Sequence, residues 1–121
     1  MPIQNVLVVE DSPTDRQALT DILTKNGYKV TTADSAEDAL AKIKVAKPDL
    51  VLMDVVLPGQ NGFQATRELS KSDATKNIPV IIITTKSQET DKVWGLRQGA
   101  RDYIVKPVKQ AELLAKIAAL G

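Results

Sequence analysis

The sequence contains no cysteine and no histidine. Without cysteine there are no disulfides, no thiolate nucleophiles and no thiolate metal sites. Without histidine the chain has no imidazole base, no imidazole metal ligand and no phosphohistidine carrier of its own. An excess of one charge is also missing. Sixteen basic and 15 acidic side chains leave a net charge of +1, which provides no general field for nucleic acid or an anionic membrane. No apolar run approaches the roughly 20 residues of a membrane span. The longest, Ile78 to Ile83, is strand-sized and includes Pro79. Met1 to Val9 is too short, and lacks the basic start, for a secretory signal. A cytoplasmic protein without a nucleic-acid or membrane partner is expected, and any chemistry falls to carboxylates, lysines, hydroxyls and the backbone.

What is present is the composition of a globular chain: 121 residues, 43% apolar and 26% charged. That is enough for one domain, residues 1–121, to bury about two thirds of its unfolded surface. Five short apolar runs punctuate it: Val6 to Val9, Tyr28 to Thr32, Leu50 to Met53, Val80 to Ile83 and Tyr103 to Val105. Three are apolar at every position, the mark of parallel strands covered on both faces. The run at Tyr28 alternates, which suits a sheet edge.

Helical patterns separate the runs. Ser12 then Pro13 reads as an N-cap with proline at the first helical position, and Ala18, Leu19, Ile22 and Leu23 form the inward face up to Asn26-Gly27. Ser35 caps a second helix, with Ala36, Ala39, Leu40 and Ile43 inward and its end before Lys47-Pro48. Phe63 to Leu69 makes a third. Val93 and Leu96 mark the inner stripe of a fourth, stopped by Gly99. Trp94, the only tryptophan, lies one residue off that stripe, so core and partner-facing roles are both open. Leu113, Leu114, Ile117 and Leu120 mark a fifth. Alternating strands and helices with short loops predict right-handed crossovers and a doubly wound, three-layer α/β sandwich.

In such a fold the ligand site forms at the carboxyl ends of the strands. Glu10 and Asp11 follow the first strand, Asp54 the third, Thr84 and Thr85 the fourth, and Lys106-Pro107 the fifth. Each has an ordinary role when taken alone: a loop acid, a turn residue, a helix cap, a surface lysine. Their placement at one edge points to a site. Three carboxylates in one cleft repel one another, and hard oxygen donors without nitrogen or sulfur suit Mg²⁺, with Mn²⁺ as the alternative. Three carboxylates, one divalent cation and Lys106 sum to zero formal charge, so the cleft can accept a phosphoryl anion.

The motifs Val8-Val9-Glu10-Asp11-Ser12, Leu52-Met53-Asp54-Val55-Val56-Leu57-Pro58-Gly59 with Gly62, Ile83-Thr84-Thr85, and Tyr103-Ile104-Val105-Lys106-Pro107 resemble the receiver domain of bacterial response regulators, the CheY-like family. The resemblance spans the whole chain and implies a flavodoxin-like sheet of order 2-1-3-4-5. It implies that Asp54 accepts a phosphoryl group from a partner histidine kinase. It further implies that Asp11 and Asp54 ligate Mg²⁺ directly, Glu10 through water, and Val56 through its backbone carbonyl. Thr84 and Lys106 would contact the phosphoryl oxygens, the peptide before Pro107 would be cis, and Tyr103 would turn inward as part of a switch read on the face of the fourth helix, fifth strand and fifth helix. Val56 stands where many receivers carry a polar side chain, and Lys86 lies two residues beyond Thr84; both bear on how water reaches the acyl phosphate. Asn61 to Arg67 and Thr84 to Gly95, continued by Arg97 to Tyr103, more narrowly resemble the PilH-type standalone regulators of type IV pilus twitching motility. That implies a downstream protein such as the pilus motor machinery, and a monomer or weak dimer without an output domain.

One rival reading fits the sequence equally and two fit it less well. A phosphate sink for a shared kinase has the same sequence features. An Mg²⁺-dependent aspartyl phosphatase of the haloacid-dehalogenase-like group would carry a second aspartate where Val56 stands. A nucleotide binder would carry a glycine-rich loop after the first strand, where Glu10-Asp11-Ser12-Pro13 stands instead.

Overall fold

The computed structural model describes residues 2–121; Met1, the first residue of the expected domain, lies outside them. Five strands and five helices alternate: β1 Asn5–Val9, α1 Pro13–Lys25, β2 Lys29–Ala33, α2 Ala36–Val45, β3 Leu50–Met53, α3 Gly62–Lys71, β4 Val80–Thr84, α4 Glu89–Arg97, β5 Asp102–Val105 and α5 Gln110–Leu120. All strand pairs are parallel and the sheet order is β2-β1-β3-β4-β5, as the resemblance implied. The second strand is shifted by one residue from its predicted span. Tyr28 is used in the turn, where its N–H donates to the Leu23 carbonyl at 3.0 Å.

The continuous apolar runs are explained by their two covered faces. Val6 and Val8, Leu50 and Leu52, and Ile81 and Ile83 pack with Leu19 and Leu23 of α1 and Leu113 and Ile117 of α5. The alternate residues Leu7, Val9, Val51 and Met53 pack with Ala36, Ala39 and Ile43 of α2 and Ala65 and Leu69 of α3. The apolar runs of β1, β3 and β4 therefore bury both of their faces, so every position in them gains from being apolar. The helix starts follow the caps in the sequence. Ser12 Oγ accepts the Asp15 N–H at 3.3 Å and Ser35 Oγ the Asp38 N–H at 3.0 Å. Asn61 and Gln64 exchange side-chain and backbone bonds in a capping box at the start of α3.

Two packing expectations are corrected. Ala18 is exposed, because α1 turns Leu19 and Leu23 inward and leaves Ala18 on the flank. In α4, Val93 and Leu96 are 42% and 48% exposed, and Trp94 is 50% exposed. The helix buries Gly95 instead. A Cβ at Gly95 would lie 2.9 Å from Ile82 Cδ1 and 3.1 Å from Tyr103 Cδ2, so α4 approaches the sheet by its bare backbone and turns its large apolar side chains outward.

Candidate functional site

The strand ends place the polar residues predicted for the site. Glu10 extends the ladder beyond β1 by donating its N–H to the Ala33 carbonyl at 2.9 Å; Asp54 donates to the Val9 carbonyl at 3.0 Å and Lys106 to the Thr84 carbonyl at 2.8 Å. Backbone pairing thus fixes where each side chain emerges. Glu10 and Asp54 are 2% and 6% exposed, while Asp11 faces solvent. Ligand oxygens of Glu10, Asp11 and Asp54 all lie within 4.8 Å of one another. These are hard anionic oxygens alone, and they fit Mg²⁺. Val56 donates its N–H to Asp54 Oδ1 at 3.0 Å, which holds the residue expected to supply a carbonyl oxygen beside the same acid. The start of α3 closes in from below: a Cβ at Gly62 would meet the Asp54 carbonyl oxygen at 2.1 Å.

Lys106 reaches this cluster from β5, and the Lys106–Pro107 peptide is cis, as expected. Its ammonium donates to a Glu10 carboxylate oxygen, to Asp15 Oδ2 at 2.8 Å and to Asp54 Oδ2 at 2.9 Å. All three of its N–H groups are therefore used. Burial works against the ammonium, but the hydrogen bonds to Asp15, Glu10 and Asp54 outweigh it and hold the lysine above its ordinary pKa. Asp15 was not foreseen. It reads as an acid in the first turn of α1, favourable to the helix dipole, and its partner lies 91 residues away in the chain.

Thr84 is fully buried, and its Oγ1 accepts the Lys86 N–H at 3.4 Å. Among the described residues no hydrogen bond joins it to the acid cluster. Tyr103 is 9% exposed, packed with Val55, Ile82 and Ala100, and its hydroxyl donates to the Lys86 carbonyl at 2.8 Å. The ring is inward in this structure, with burial pushing the phenol up to about 12. The backbone of Lys86, through its N–H and its carbonyl, thereby connects the two residues expected to move together.

Burial pushes Glu10 up to about 7 from 4.5, with the Asp54 carboxylate adding to the rise and the Lys106 hydrogen bond opposing it. Between pH 4.5 and 7 the folded chain keeps a proton that the unfolded chain has lost. Glu10 therefore makes the metal-free protein less stable as pH rises through that window, and the loss is complete above it. Glu10→Gln removes this contribution. Its metal-free melting temperature is expected to fall less than the wild type's between pH 5 and 7.5, as measured by thermal melts with a chelator present; parallel curves would refute it.

The comparisons agree with this geometry. Residues 6–118 match the family model of the response regulator receiver domain. Over 115 residues the chain is 56% identical to Protein PilH of Pseudomonas aeruginosa, a match covering 95% of each sequence. It is 38% identical over 117 residues to the phosphate regulon transcriptional regulatory protein PhoB of Escherichia coli, covering 97% of this chain and spanning about half (51%) of PhoB. Among solved structures, the chemotaxis protein CheY4 of Vibrio cholerae superposes with a TM-score of 0.91 at 31% identity, covering 98% of this chain and 99% of that one. The receiver domain of sensor histidine kinase PA1611 from Pseudomonas aeruginosa gives 0.89 at 32% identity, covering 97% and 96%, and holds a magnesium ion in its active site cleft.

Proposed function

The chain belongs to the response regulator receiver domain family, and on that premise we propose that it is a standalone receiver which takes a phosphoryl group from a histidine kinase onto Asp54. The observation that carries this reading is the convergence of Glu10, Asp11 and Asp54 on one point with the Lys106 ammonium 2.9 Å from Asp54 Oδ2. An Asp54 oxygen attacks the phosphorus in line. The new O–P bond forms as the P–N bond to the kinase imidazole breaks, and the electron pair leaves with the imidazole, which takes a proton from water. Bound Mg²⁺, or Mn²⁺, would supply charge neutralisation for the phosphoryl oxygens, held by Asp11, Asp54, the Val56 carbonyl and, through water, Glu10. Lys106 pairs with a phosphoryl oxygen. Thr84 gives up the Lys86 N–H and donates its hydroxyl to another, and Tyr103, anchored on the carbonyl of the same residue, responds.

As in the family, this is signalling rather than turnover of a substrate: the domain assists its own phosphorylation and dephosphorylation. The signal leaves through α4, β5 and α5, where Val93, Trp94 and Leu96 stand out into solvent. The 56% identity to PilH along nearly the whole of both chains supports a cytoplasmic role in chemotaxis-like control of twitching motility, with pilus motor machinery as the downstream partner.

Intact-mass spectrometry after incubation with acetyl phosphate and Mg²⁺ tests the chemistry. One adduct of about 80 Da, the mass of a single phosphoryl group on one acceptor, is expected, and it should be lost when the metal is chelated. If neither this adduct nor Mg²⁺-dependent uptake of beryllofluoride is seen, the reading fails.

A further inference from the structure

Lys106 has three carboxylate partners, and two of them belong to the metal-binding group. Glu10 and Asp54 lie with Asp11 in the set able to hold a cation. Asp15 lies outside that set, yet its Oδ2 is 2.8 Å from the Lys106 ammonium. When a divalent ion draws on Glu10 and Asp54, and Asp54 carries a phosphoryl group, those two acids no longer hold the lysine as they do here. Asp15 is the partner that neither the metal nor the phosphoryl group claims.

Its position is fixed independently of the cluster. Its N–H is bonded to Ser12 Oγ at 3.3 Å, and it sits in the first turn of α1 with its side chain 46% exposed. The Lys106 backbone, from which its side chain emerges, is held by the Lys106 N–H bond to the Thr84 carbonyl. The carboxylate thus reaches the ammonium from a rigid helix end at the rim of the cleft.

Resting on the receiver reading of this site, we propose that Asp15 is a positioning residue that keeps the Lys106 ammonium over Asp54 once metal and phosphoryl group occupy the cleft. It touches neither of them; it acts through the lysine. A lysine tethered at one N–H keeps two for the phosphoryl oxygens. An untethered one regains the freedom of a four-carbon stem and loses part of its attraction for them.

The test compares wild type, Asp15→Asn and Asp15→Glu for binding of beryllofluoride in saturating Mg²⁺. The expected result for Asp15→Asn is binding weaker by about fivefold, the scale of one charge-assisted hydrogen bond at a half-exposed site; Asp15→Glu should recover most of it. Metal-free melts of the same variants, with and without Lys106→Ala, separate positioning from a helix-end role. Asp15→Asn should lower the melting temperature by about 3 °C with Lys106 present and not at all in Lys106→Ala. An equal drop in both backgrounds would mean that Asp15 only supports α1, and overturns the proposal. Unchanged or tighter beryllofluoride binding in Asp15→Asn does so too. A wild type that takes up no beryllofluoride sinks the receiver reading beneath it, whatever Asp15 does.

Discussion

Asp54→Ala is expected to yield no phosphoryl adduct under conditions that label the wild type fully. No other acid can take its place. Glu10 is sealed at 2% exposure, with one oxygen engaged by Lys106 and the other accepting the Ser12 N–H at 3.3 Å. Asp11 is exposed but has no bond to the lysine among the described residues. Asp15 has that bond but lies outside the metal-binding set. Asp54 alone joins the metal group, the lysine and the Val56 N–H, so the effect is all or none rather than graded. The companion variant Asp54→Asn keeps an acceptor for Val56 and removes one of the acids crowded around a single ammonium. Its metal-free melting temperature should match or exceed the wild type's, because like-charge repulsion is relieved. Stoichiometric labelling of Asp54→Ala would reassign the acceptor; a clear drop in the melting temperature of Asp54→Asn would show that the acid stabilises the fold rather than straining it.

The second large effect is on stability. Lys106→Ala leaves Glu10 and Asp54 buried beside one another with no cation. Removing one partner of a buried ionic cluster costs about 3 kcal/mol, which for a domain of this size is roughly 10 °C. A divalent cation replaces the missing positive charge at the same carboxylates, so the loss should shrink as Mg²⁺ is added. The stabilisation per addition of metal should then exceed that of the wild type. Thermal melts with and without Mg²⁺ measure both quantities. An unchanged metal-free melting temperature would mean that solvent, not Lys106, balances these acids. The adduct on Asp54 should still form in this variant, but with the response at Thr84 and Tyr103 weakened, since the lysine no longer draws the phosphoryl oxygens.

Most of the architecture could be read from the sequence because burial on two faces leaves a plain trace. Val6 to Val9, Leu50 to Met53 and Val80 to Ile83 are apolar at consecutive positions because helices cover both faces of these strands. Ser12, Ser35 and Asn26-Gly27 marked helix ends because caps and turns are local chemistry. The strand-end acids, the lysine and the threonine were legible for the same reason: each stands at the carboxyl end of a strand or within two residues of it.

The misses share a cause. Val93 and Leu96 have the spacing of an inward stripe, and hydropathy counts side chains; α4 is seated by the absence of one, at Gly95. Asp15 is an unremarked first-turn acid until the fold brings Lys106, just beyond β5, to the start of α1, and a contact across 91 residues leaves no periodicity to find. The trace it did leave was a third acid within six residues, at the same helix end as Glu10 and Asp11, which a charge count over three dimensions would have set against the single lysine. The inward ring of Tyr103 depends likewise on the carbonyl of Lys86, a backbone group with no sequence signature.

The outward set of α4 has a practical side. The chain has one tryptophan, and it stands half exposed on the helix through which the signal is proposed to leave. Indole emission from this protein therefore reports a single address, with no dye and no engineered label. A partner that seats on α4 takes the ring out of water and moves its spectrum, so a titration read in fluorescence gives both the affinity and the face. A partner that binds while the emission stays still has docked elsewhere.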